Sequence, residues 1–92
     1  MTNDEKEAAR GRLAREVLEN CVYKEAYVML RAKLFEEFKK TKFRDNDERD
    51  EIWRKLQVVD YIEDSLAKVM QSGKVAEATL LEKTKKVLKY AR

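Results

Sequence analysis

Apolar residues recur along this chain at helical intervals in more than one stretch. From Ile52 they fall at 52, 56, 59, 62, 66 and 69, spacings of 4, 3, 3, 4 and 3. That alternation averages close to the 3.5-residue seam of helices packed lengthwise, and it predicts a helix over about 46–72. Tyr23, Tyr27, Leu30, Leu34 and Phe38 follow spacings of 4, 3, 4 and 4, one face of another helix over about 21–40. Val28 and Phe35 lie off that stripe and widen it. "TKFRDND" between the two is the best loop candidate, with Phe43 expected to fold back and pin the turn. A loop this short predicts an antiparallel hairpin.

The flanks are also helical in pattern. Thr2 and Glu5 have capping-box spacing at the start of a segment running to about 19. Its apolar positions are few: Ala9, Leu13, Val17 and Leu18. Gly11 sits mid-segment and weakens it by about 1 kcal/mol relative to alanine, so this helix is expected to be loosely held or to need a partner. Asn20 marks a break or cap. Asp45, three residues before Glu48, has N-cap spacing, and the acidic run that follows suits the positive end of a helix dipole. Gly73 reads as a helix terminator. A fourth segment, 74–92, is then expected to cover Leu66, Val69 and Met70. It carries two partial stripes: Val75, Ala78, Leu81 and Leu88, and Leu80, Val87 and Ala91.

With no proline and only two glycines, the chain lacks the turn residues of a strand-rich protein. The expected fold is a single all-α domain, 1–92. An antiparallel helical hairpin (about 21–40 with 46–72) plus flanking N- and C-terminal helices would make a three- to four-helix bundle. Ninety-two residues bury only about two thirds of their unfolded surface, so the core is small.

Little in the sequence points to chemistry. Cys21 is the sole cysteine; it excludes an internal disulfide and is expected as a small buried thiol. A thiolate nucleophile needs a partner base, and the chain has no histidine. Asp45, Asp47 and Asp50 resemble the start of a calcium loop, but its sixth and twelfth positions hold Asp50 and Leu56 where glycine and glutamate are needed. Asp60, Glu63 and Asp64 form an acidic patch with no sign of a pocket. No glycine-rich phosphate loop is present. The expectation is a protein that is not an enzyme, with no cofactor and no metal. No apolar run approaches the ~20 residues that span a bilayer, and "MTNDEKEAARGR" has no signal-peptide core, so no membrane association is expected.

Charge is distributed unevenly. Residues 1–19 carry four basic and five acidic side chains, and residues 20–81 carry twelve of each. Residues 82–92 carry Lys83, Lys85, Lys86, Lys89 and Arg92 against Glu82, a surplus of four that outweighs the deficit of one in residues 1–19 and leaves the net +3. These five are candidate nucleic-acid contacts, able to release counterions from phosphates without reading sequence. They also suit the negative end of a helix dipole. Trp53 lies beside the 52–56–59 seam, placed either to close the core near the turn or to anchor a partner. Leu13, Val17, Trp53, Leu80 and Val87 are the candidate interface residues.

"LENCVYKEAY", "TKFRDNDERDEIW" and "SGKVAE" together resemble a type of small helical protein of tailed-bacteriophage genomes. Thr41, Arg44, Asp45, Arg49, Ile52, Trp53, Gly73, Lys74 and Ala76 sit where that pattern places them. The likeness spans Leu18 to Glu77, about two thirds of the chain, and leaves the basic end outside. It implies a companion of head-assembly and DNA-packaging genes, located in the host cytoplasm or the virion. Its partner would be a homo-oligomer or a larger phage particle protein. Three functions compete: a virion or assembly protein, a DNA-packaging adaptor resembling a small terminase subunit and binding nonspecific DNA, and an inhibitor of a host enzyme or defence complex that mimics nucleic acid through its acidic patches.

Overall fold

The computed structural model describes the backbone of residues 1–90 and the side chains of residues 1–89. Among these residues the chain is all-helical, without strands, in three helices: α1 (Asn3–Glu19), α2 (Cys21–Lys40) and α3 (Asn46–Tyr90). Ala91 and Arg92, which the sequence places in an apolar stripe and a basic cluster, lie outside the described residues.

The starts of α1 and α2 follow from their caps. The Glu5 amide donates to the Thr2 hydroxyl at 3.2 Å. The reciprocal half of the expected capping box is altered, because the Glu5 carboxylate accepts from the Thr2 hydroxyl instead of an amide. Asn20 alone separates α1 from α2, and its side-chain oxygen accepts from the Tyr23 amide at 3.0 Å. That satisfies one of the donors every helix start leaves exposed.

Gly73 does not end a helix. The segment expected to be separate, 74–92, continues α3 without a break to Tyr90. It therefore cannot fold back over Leu66, Val69 and Met70.

The chain divides into two compact units. The first joins Met1–Val17 to the residues from Leu66 onward. Here Ala8, Gly11 and Ala14 of α1 are buried, as are Gly73 and Ala76 of α3. A Cβ built on Gly11 would lie 2.6 Å from the Gly73 Cα. The two backbones thus touch where neither carries a side chain. Lys83 reaches Asp4 at 3.1 Å and Arg12 reaches Glu77 at 2.9 Å. The glycine that reads as the weak point of α1 lies directly against the backbone of α3.

The second unit is Leu18–Ser65. Its core is Leu34, Ile52 and Leu56, with Phe38 and Val59 packed against it. Partners along α2 rise in number as those along α3 fall: Leu34 meets Ile52 and Leu56, while Tyr27 and Arg31 meet Asp60. The rest of the seam is less covered than its spacing predicts, since Ile62 is 52% exposed. Phe43 does not fold back; it is 88% exposed. The turn is held instead by Thr41, whose hydroxyl donates to the Phe38 carbonyl at 2.6 Å, and by Arg49. The Arg49 guanidinium lies 4.3 Å from the centre of the Phe38 ring, a cation–π contact. Cys21, expected to be buried, is exposed: it is the first residue of α2 and points away from the Tyr23 stripe.

Candidate functional site

Two packed helices have two open sides, and in the Leu18–Ser65 unit each side forms a groove. The first is polar. Arg31, Phe35, Trp53, Leu56, Gln57, Asp60, Tyr61 and Asp64 line about 310 Å³. Arg31 forms an ion pair with Asp60 and lies between two rings, 5.8 Å from the centre of Tyr27 and 5.5 Å from that of Phe35. The Tyr27 hydroxyl donates to the same Asp60 oxygen at 2.7 Å. Hydrogen bonds from Arg31 and Tyr27 hold the Asp60 carboxyl below its ordinary range. The bond to Asp60, assisted by burial, drives the Tyr27 phenol far above its ordinary value of 10.0. A carboxylate so held stays ionised and is a poor proton donor; it fixes α2 to α3.

The second groove is apolar. Leu30, Leu34, Val58 and Val59 form its walls over about 420 Å³, and Glu51, Arg54 and Lys55 edge it. It runs on into a smaller hollow of about 160 Å³ lined by Tyr23, Ala26, Tyr27, Leu30, Val59 and Ile62. Leu30 is 45% exposed and Val58 59%. The Tyr23 hydroxyl is enclosed and has no hydrogen-bond partner. Burial raises its pKa, and the nearby Glu63 carboxylate adds to the rise.

The candidate interface residues divide between the units. Leu13 and Val17 are exposed on α1, away from the buried Ala8–Gly11–Ala14 face. Leu80 is half-buried and Val87 exposed. Trp53 is half in water on the rim of the polar groove, so it does not close the core. Among the candidate phosphate contacts, Lys83 is engaged by Asp4. Lys85, Lys86 and Lys89 are exposed and share about a quarter-turn of the helix. Arg92 is outside the described residues.

Sequence reading missed Arg31 and Arg49. Their signal was positional: each stands on or beside an aromatic stripe where a cation has to pair or stack. Among the described residues no three His, Cys, Asp or Glu side chains gather to hold a metal ion. No helix there is long and apolar enough to cross a membrane. Compared with known proteins, the chain matches no family model, no curated protein and no solved structure.

Proposed function

We propose that this chain is a non-enzymatic bacteriophage virion or assembly protein, acting through helix-mediated contacts with copies of itself or with a larger particle protein. One observation carries the reading: both units present large apolar side chains to solvent, including Leu13, Val17, Leu30, Trp53, Val58 and Val87. A chain with three large core residues in one unit and small residues at the heart of the other gains stability chiefly by adding another layer. In this reading α2 and the first part of α3 work as an antiparallel hairpin, presented to partners as a rigid face. The phage origin rests on the sequence pattern around Thr41, Asp45, Arg49 and Trp53, and it places the protein in the host cytoplasm or the virion.

The test is to probe purified particles and their assembly intermediates, from the phage that encodes the chain, with an antibody to it. A fixed number of copies per particle or per intermediate is expected. Absence from both would overturn the reading.

A DNA-packaging adaptor is the second reading, favoured by the exposure of Lys85, Lys86 and Lys89. The inhibitor reading is weakened because Asp60, central to its acidic patch, is already committed to Arg31 and Tyr27.

A further inference from the structure

We infer that the polar groove between α2 and α3 takes an arginine side chain from a partner protein. The guanidinium seats against Tyr61 and Asp64, and the segment that bears it runs on to Trp53. The inference rests on the assembly reading above and names one face and the side chain that face captures.

The groove itself shows which group its walls suit. Arg31 lies between the rings of Tyr27 and Phe35 and pairs with the Asp60 carboxylate. A planar guanidinium both stacks on rings and matches a carboxylate, which an ammonium does less well. The rest of the lining offers the same groups without a cation: the rings of Trp53 and Tyr61 and the carboxylate of Asp64. Among the described residues no cation lies over either ring. No ion pair or hydrogen bond there reaches Asp64, and Lys68, one turn further along α3, leaves it unpaired. Arg31 and Asp60 balance each other, so the lining keeps the charge of Asp64 and favours a cation.

Spacing turns that cation into part of a chain. Trp53, Gln57, Tyr61 and Asp64 follow one another at intervals of 4, 4 and 3 residues, one face of α3. Tyr61 and Asp64 are neighbours one turn apart, close enough to share one guanidinium. Trp53 stands about 16 Å from Asp64 along the helix, too far for the same side chain. A free cation would fill one end of the groove, whereas a peptide segment fills both. Trp53 is 53% exposed and Tyr61 70%, so each ring has area left to bury, and both residue types are common anchors of protein contacts.

Trp53 is the chain's one tryptophan, so its emission reads the groove directly. The probe is a blocked pentapeptide, Arg-Ala-Ala-Ala-Leu, which spans about 16 Å when extended. One control replaces its arginine by citrulline, which keeps the shape and loses the charge; another replaces it by lysine. The arginine peptide should shift the emission saturably, with a midpoint of about 1–10 mM, as for one charged contact and one apolar anchor. The citrulline peptide should bind at least about threefold more weakly, and the lysine peptide should fall between, as the loss of an exposed ion pair and of ring stacking requires. Asp64→Asn should weaken the arginine peptide about two- to fivefold and leave the citrulline peptide unchanged. Asp45→Asn removes the same charge from the turn, away from the groove, and should change neither. Both positions are exposed, so the fold is kept. No saturable shift up to about 20 mM, well past the expected midpoint, would overturn the inference. So would equal binding of the arginine and citrulline peptides or of the arginine and lysine peptides, or equal losses from Asp64→Asn and Asp45→Asn. None of these results touches attachment to a particle, which the antibody experiment reads separately.

Discussion

A Cβ placed on Gly11 would lie 2.6 Å from the Cα of Gly73, and one placed on Gly73 would lie 2.5 Å from the Cα of Gly11. No real Cβ is found so near a backbone atom, and no side chain is available there to swing aside. Within their unit, α1 and α3 therefore meet main chain to main chain.

Gly11→Ala should lower stability by about 1–3 kcal/mol, the usual cost of overfilling a tight contact. The sign is the informative part. In an isolated helix the same change adds about 1 kcal/mol of helix propensity. Urea unfolding measures the balance, with amide exchange along α1 as a local readout. A variant more stable than wild type would mean that the two helices do not touch at this point.

The node of Arg31, Tyr27 and Asp60 predicts opposite responses at the two ends of the pH scale. Asp60 has a folded pKa below its ordinary 3.8. Its contribution is therefore fully present above that value and is lost as pH falls through the lower, folded one. Tyr27 has a folded pKa above 10.0, so its contribution is complete below pH 10 and is lost on further rise. Stability of Asp60→Asn should converge on wild type in acid, while phenol absorbance should show Tyr27 ionising earlier in that variant. Parallel acid curves would remove the node from the list of stabilising contacts.

Tyr23→Phe should be neutral or stabilising by up to about 1 kcal/mol. Its hydroxyl is enclosed without a partner, and removing an unsatisfied buried polar group relieves a desolvation cost. Thermal unfolding reads this directly. A loss above about 1 kcal/mol, the typical net worth of a hydrogen bond, would point to an unseen partner for that oxygen.

Lys85, Lys86 and Lys89 offer at most three phosphate contacts from the described part of α3. If the chain binds duplex DNA through them, the logarithm of affinity should fall against log salt with a slope of about −3. Changing all three to alanine should abolish the dependence. A steeper slope, or one that survives the substitution, would place the phosphate contacts elsewhere.

The limits of α2, the start of α3 and the residues that dominate the larger core were readable from spacing, whereas the end of α3 was not. Leu34, Ile52 and Leu56 lie on the two stripes that periodicity picks out, and α2 spans the residues its pattern assigns. The α1 contact was not readable. Its buried face is Ala8, Gly11 and Ala14, which carry almost no side-chain hydrophobicity, while Leu13 and Val17 drew attention to the exposed side. A glycine in a helical pattern looks like a defect unless the backbone opposite it is known. Gly73 misled for the same reason, since only the facing Gly11 explains a glycine mid-helix. Phe43 and Cys21 were placed by residue type alone. Neither has a neighbour in sequence that forces it inward, and both stay in water.

The lone thiol of Cys21 has one more implication. It is solvent-exposed at the first turn of α2, and the sequence holds no second sulfhydryl with which it could close a ring. A disulfide between two copies of it would consequently weld one molecule to another, tethering two α2 starts whatever faces the molecules would otherwise choose.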